Sequence, residues 1–203
     1  MANETRISVG PGRAVYPALD RPDTKFDELG QYKADLAVPL AQAEPLMKKL
    51  ADMHKAHVGK APAKASNTMW YMETDEDGEE TGNVVFKMRI KNRLNRDGKL
   101  WDRKPKQFDA ALRPCEVNPW GGSVLAVSAV VYEWDAGGKK GISLQPQAVQ
   151  IIELVSGGGK DASAFGFDAT DGFTAPENAA PDFGGSDEAD TAEVDGEEES
   201  YDY

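Results

Sequence analysis

Every second residue between Lys87 and Arg93 is a cation: Lys87, Arg89, Lys91 and Arg93. Side chains alternate across a strand, so these four share one face, while Phe86, Met88, Ile90 and Leu94 share the other, interrupted only by Asn92. Like charges spaced roughly 6.6 Å apart repel unless an anion lies across them, and the phosphate repeat of an extended nucleic acid strand is close to that length. The stripe continues through Arg96, Lys99, Arg103, Lys104 and Lys106, with Trp101 set among the charges. From Lys87 to Lys106 there are nine basic residues against two acids, Asp97 and Asp102.

Rings accompany the cations. Trp70, Tyr71, Trp101, Trp120, Tyr132 and Trp134 lie on or near the same strands. Bases stack on aromatic side chains with little regard to sequence, at roughly 1–3 kcal/mol per base, while a cationic groove tracks the backbone. The competing account of the stripe is a solvated outer face that keeps a strand from aggregating; the interleaved rings favour binding. In the run from Asn67 to Glu73, Trp70 and Tyr71 face opposite ways, so one is expected to be buried and the other free to stack. The sequence leaves open which.

Other clusters carry less chemistry. Asp75, Glu76, Asp77, Glu79 and Glu80 crowd one loop but lack the spacing of a calcium loop and its closing bidentate Glu. Joined by Asp35 or Glu73 they would make a two-metal nuclease, yet no histidine or lysine accompanies them in such a pattern. His54 and His57 read as partly exposed helix residues, and Cys115, the sole cysteine, has no internal disulfide partner. We therefore expect no metal, no cofactor and no catalysis. Gly137, Gly138, Lys139 and Lys140 fit an ordinary hairpin tip or a tip that closes over a strand. Gly121 and Gly122 fit a bulge or turn, or a close approach to ligand.

The elements that must position these residues are mostly strands. Gln31 to Val38 alternates, with Tyr32, Ala34, Leu36 and Val38 on one face and Lys33, Asp35 and Ala37 on the other, the pattern of a half-buried strand. After Pro39 the period changes. Leu46, Met47, Leu50, Met53, His54 and His57 fall on one helical stripe, Pro45 suits a first turn and Gly59 a stop, predicting a helix from Leu40 or Glu44 to Val58. Asn67–Glu73 and Asn83–Leu94 read as strands joined through an Asp77-Gly78 turn. Ser123–Trp134 and Gly141–Val155 read as a long hairpin closed by the loop from Asp135 to Lys139. Five or six strands with one inserted helix predict a mainly β fold, a five-stranded Greek-key barrel of the oligonucleotide-binding (OB) kind; an open β-sandwich would give a similar string.

Charge divides the chain. Residues 156–203 hold fourteen acids and one base, Lys160, a net of 1 − 14 = −13, whereas residues 1–155 hold 22 bases and 21 acids. The net charge of −12 is thus made in the tail. We expect a binding domain over 1–155 and a disordered acidic tail over 156–203, since Gly, Ala, Asp and Glu cannot bury enough apolar surface to offset the entropy of ordering. The tail carries Phe165, Phe167, Phe173 and Phe183 and closes with Glu197, Glu198, Glu199, Ser200, Tyr201, Asp202 and Tyr203. Acids followed by terminal aromatics suit a docking peptide, and the same composition suits a solubilising tail. No stretch reads as a signal peptide or membrane span, so the chain reads as soluble and cytosolic, with no membrane partner.

Three segments carry a resemblance. They are Ala14-Val15-Tyr16-Pro17-Ala18-Leu19, Asn118-Pro119-Trp120-Gly121-Gly122-Ser123, and Lys139-Lys140-Gly141-Ile142-Ser143-Leu144-Gln145 with Ala148-Val149-Gln150. In this order, followed by an acidic tail, they resemble the small single-stranded DNA-binding proteins of bacteriophages. The resemblance implies an OB-fold barrel that coats transient single strands during phage DNA replication, recombination and repair in the cytoplasm of the infected bacterial host. It also implies a tail that contacts the phage DNA polymerase and helicase or primase and competes with DNA. The resemblance makes a symmetric homodimer a reasonable assembly. Ending in Tyr203 rather than Phe departs from the family. The site residues expected are Lys87, Arg89, Lys91, Arg93, Trp101, Arg103, Lys104, Lys106, Trp70, Tyr71 and Trp120 for DNA, with Glu197, Glu198, Glu199, Tyr201, Asp202 and Tyr203 for protein partners. A virion structural or adaptor protein, and a barrel that binds RNA or duplex DNA, remain the alternatives.

Overall fold

The computed structural model describes residues 5–63 and 68–156. The expected tail, with Glu197, Glu198, Glu199, Tyr201, Asp202 and Tyr203, lies outside the described residues, Ser156 excepted, as does Asn67.

In chain order the elements are β1 (Arg6–Ala14), β2 (Ala18–Asp23), β3 (Gln31–Lys33), β4 (Leu36–Pro39), α1 (Leu40–Val58), β5 (Trp70–Thr74), β6 (Glu80–Phe86), β7 (Arg89–Lys91), β8 (Arg93–Leu94), β9 (Leu100–Trp101), β10 (Lys106–Phe108), β11 (Val124–Ala136) and β12 (Lys139–Glu153). Three long strands are each broken once, giving the pairs β1/β2, β3/β4 and β6/β7. With the breaks rejoined, β6/β7 pairs with β3/β4, β4 with β1, β1 with β11, and β11 with β12, all antiparallel. A parallel bridge between Met88 and Leu144 returns β12 to the β6/β7 strand and closes the ring. That order is the five-stranded Greek-key barrel of an OB fold, with α1 inserted between the second and third strands. β5 adds to the free side of β6, and β10 adds parallel to β12.

Barrel closure requires bent strands, and the bends are chemically marked. β1 shifts register between Val9 and Gly12; a Cβ on Gly10 (φ 98°) would lie 2.7 Å from the Leu125 carbonyl oxygen. The inside is apolar: Val9, Leu36, Val84, Phe86, Met88, Leu125, Ile142 and Leu144 are at most 1% exposed. Each such large side chain contributes about 1.5–3 kcal/mol relative to exposure. α1 lays Ala43 and Leu50 against this core, with Leu46, Met47 and Met53 partly buried beside them.

Several expectations need correction. The strand from Gln31 to Val38 breaks at Ala34 and Asp35, and its expected polar face is buried at Asp35 and Ala37. The cause is Asp35, whose carboxylate turns inward to accept the Met88 N–H at 2.8 Å, replacing a ladder bond. The helix starts at Leu40, so Pro45 sits inside it rather than in its first turn. Gly59 caps it in the left-handed region (φ 86°), as the sequence indicates. The long hairpin turns on Gly137 and Gly138 alone, both at positive φ, the geometry of a tight two-residue turn. Leu94, placed on the core face by alternation, is exposed, because the barrel strand ends at Lys91 and β8 departs with β9 as a separate ribbon.

Candidate nucleic-acid interface

The third barrel strand carries the stripe. Phe86, Met88, Ile90 and Asn92 point inward and are buried, which aims Lys87, Arg89, Lys91 and Arg93 outward. These four cations line one depression of about 470 Å³, together with Arg103 and Tyr132. The bridge at Met88 and Leu144 brings Ser143 and Gln145 of β12 to its other wall. A second depression of about 750 Å³ shares Arg93, Arg103, Tyr132 and Gln145 with the first and adds Trp101, Lys104 and Lys106. Together they form a continuous cationic track.

The ribbon β8/β9 sets the far end of this track. Arg93 lies opposite Trp101 and Leu94 opposite Leu100. Opposed residues share a face, so Arg93 and Trp101 stand together on one side of the ribbon. Trp101 is 55% exposed, and the Arg103 guanidinium lies 5.3 Å from its ring centroid. Arg103 also donates to the Gln145 side chain at 2.9 Å and to the Lys91 carbonyl at 3.3 Å. A flat ring backed by a fixed guanidinium is a platform on which a base can stack.

Carboxylates are built into the track's edge. Arg89 pairs with Asp35 at 3.0 Å, Lys91 with Asp27 at 2.8 Å, and Lys104 with Asp20 at 3.5 Å. Arg93 has no carboxylate partner among the described residues. Burial and the neighbouring Arg89 push the Lys87 ammonium below its ordinary value, and burial with Arg93 does the same to Arg103. Burial raises the Asp35 carboxyl against the opposing pull of Arg89. The Lys91 hydrogen bond holds Asp27 below the usual carboxylate value. Cations crowded by like charge gain most from an arriving polyanion.

The remaining expected residues divide. Tyr71 is exposed, whereas Trp70 is partly buried against the core, which answers the question left by alternation. The Lys87 ammonium lies 5.9 Å from the Tyr71 ring centroid, joining Tyr71 to the track. Trp120 is half-exposed but lies off the track, in a turn where its N–H donates to the Val155 carbonyl. Sequence reasoning named Tyr132 among the rings but not among the site residues, and the structure places it in the track; it missed Gln145 and the three carboxylate partners, which carry no local signal.

Other motifs are structural. Trp134 packs its ring on Gly141, its cross-strand partner, where no Cβ would fit. Lys140 at the hairpin tip pairs with Asp135 at 3.2 Å. His57 contacts the Trp134 carbonyl and Glu133, and His54 contacts the Lys60 carbonyl. The Asp75 carboxylate accepts the N–H groups of Asp77 and Glu79, closing the acidic hairpin. Gly121 and Gly122 form a turn, with the Ser123 N–H bonded to the Trp120 carbonyl. Among the described residues, no three His, Cys, Asp or Glu side chains cluster as metal ligands, and no helix is long and apolar enough to cross a membrane.

No protein-family model matches this sequence, and no curated protein matches it significantly. Solved structures do. The single-stranded DNA-binding protein gp2.5 of bacteriophage T7 superposes with a TM-score of 0.58 at 19% identity, covering 85% of this chain and 100% of that one. The single-stranded DNA-binding protein of bacteriophage Enc34, truncated at its C-terminus, gives 0.53 at 15% identity over 74% of this chain and 87% of that one. The Enc34 protein in complex with single-stranded DNA gives 0.52 at 18% identity over 76% and 89%. The chain therefore has the fold of bacteriophage single-stranded DNA-binding proteins.

Proposed function

We propose that this protein binds single-stranded DNA without sequence preference and without catalysis, serving phage DNA replication, recombination and repair in the host cytoplasm. The observation that carries this reading is one track holding Lys87, Arg89, Lys91, Arg93 and Arg103 beside the exposed rings of Trp101 and Tyr132. Phosphates follow the cations and bases stack on the rings, a mode of binding that is largely indifferent to sequence. The acidic tail, net −13, recruits the replicative polymerase and helicase or primase and competes with DNA for the cations. A symmetric homodimer belongs to the same reading.

Tryptophan fluorescence tests it. The full chain should be quenched on titration with a short oligothymidylate, and less by duplex DNA of the same length. No response at low salt would remove the DNA-binding reading and leave a virion adaptor as the better account. An equal response to duplex would shift it to a backbone binder.

A further inference from the structure

The first barrel strand bends between β1 and β2, and Tyr16 sits at the bend with φ 45°. A bulky residue in the left-handed region is a steric outlier, and the following proline narrows its conformations further. The neighbours hold the bend: the Ala14 and Val15 N–H groups bond the carbonyls of Ser123 and Asp35 at 2.8 and 2.9 Å. The strain presents the ring to solvent, for Tyr16 is 88% exposed. Strained positions held by their surroundings concentrate at binding sites.

Tyr16 and Tyr71 line a common depression of about 370 Å³, bordered by Gly121 and Gly122 directly after Trp120. Its one carboxylate, Glu73, is engaged by Arg13, Thr81 and Asn83. The lysine over the Tyr71 ring, Lys87, also lines the cationic track. The aromatic depression is thus joined to the track at the end opposite Trp101.

We infer that Tyr16 and Tyr71 form a second base-stacking station, which takes one or two further bases of the same single strand beyond Lys87. This rests on the single-stranded DNA reading above and extends it. The strand then runs from Trp101 along Arg93, Lys91, Arg89 and Lys87 to Tyr71 and Tyr16. The four cations span about 20 Å of strand, so a short oligomer fills the track alone and only a longer one reaches the station.

The test is an affinity series with oligothymidylates of increasing length on the full chain and on Tyr16→Gly, Tyr16→Asn and Tyr16→Phe. Tyr16→Gly and Tyr16→Asn should bind the shortest oligomers like the wild type and lose roughly tenfold on the longer ones. Tyr16→Phe keeps the ring and should match the wild type at every length. Because Gly removes the strain, Tyr16→Gly should melt no lower than the wild type while binding long oligomers more weakly. Identical length profiles in wild type and Tyr16→Gly would overturn the station and leave the track standing. A lower melting temperature with equal losses at all lengths would make Tyr16 structural and also overturn it. A wild type that binds no oligomer would remove both readings at once.

Discussion

The side-chain carbonyl of Asn92 accepts the backbone N–H of Arg103 at 2.9 Å, while its amide donates to the Leu29 carbonyl at 2.9 Å. Asn92 is buried, and its own N–H bonds the Gly30 carbonyl. The one polar residue on the core side of the stripe thus ties the base of the β8/β9 ribbon to the loop before β3. Asn92→Ala should leave two part-buried backbone groups, the Arg103 N–H and the Leu29 carbonyl, without this partner and cost about 1–3 kcal/mol of stability. It should also loosen Arg103 and Trp101, weakening oligothymidylate binding. Urea denaturation and a fluorescence titration check both; a stable variant with unchanged affinity would show that the ribbon does not need this anchor.

Trp101 is exposed and backed by Arg103, so its replacement should touch binding and spare the fold. Trp101→Ala should weaken oligothymidylate binding by about 1–3 kcal/mol and remove much of the quenching. The thermal midpoint should hold. Undiminished quenching would assign the signal to another tryptophan.

Removing the four stripe charges together, at Lys87, Arg89, Lys91 and Arg93, should lower the slope of log affinity against log salt by roughly 3, at about 0.7 per phosphate contact on a single strand. An unchanged slope would move the phosphate track elsewhere on the barrel.

Asp27 should act in the opposite direction. Its carboxylate holds Lys91 at 2.8 Å and so competes with a phosphate for that ammonium. Asp27→Asn should tighten binding by about threefold to tenfold at low salt, the scale of one unit charge acting across several ångströms of surface. The Lys91 hydrogen bond lowers the folded-state pKa of Asp27 from 3.8. Its stabilising contribution is therefore complete above the unfolded value and is lost as pH falls through the lowered one. The ion pair persists at neutral pH. A carboxyl-carbon NMR titration should give a midpoint below 3.8; one at or above that value would remove the pairing.

Local pattern made some of this legible. Alternation placed Lys87, Arg89 and Lys91 outward and Phe86, Met88 and Ile90 inward, because a strand's period is fixed by its backbone. The helical stripe and the hairpin around Gly137 and Gly138 are local in the same sense. What stayed hidden depends on chain brought from afar. Asp35 is 54 residues from Arg89 in sequence, and only the pairing of β3 with β7 brings its carboxylate beside the guanidinium. Leu94 followed the alternation in sequence but not in space, since the barrel strand had already ended. Trp120 carried the right chemistry, yet its turn is fastened to Val155 rather than to the stripe.

The track's cations belong to a body with 22 bases and 21 acids, while residues 156–203 add a net of −13 on the same chain. A tethered polyanion has an effective concentration set by its linker, so under the proposed reading the tail competes with DNA even when the protein is dilute. Ending the chain at Val155 should therefore tighten oligothymidylate binding, by on the order of tenfold at low salt, with the gain shrinking as salt screens the tail. Under the proposed reading, any binding to a replicative polymerase, helicase or primase should weaken in the same variant. DNA affinity and salt response that match the full chain would show that the tail serves partners or solubility and does not compete for the track.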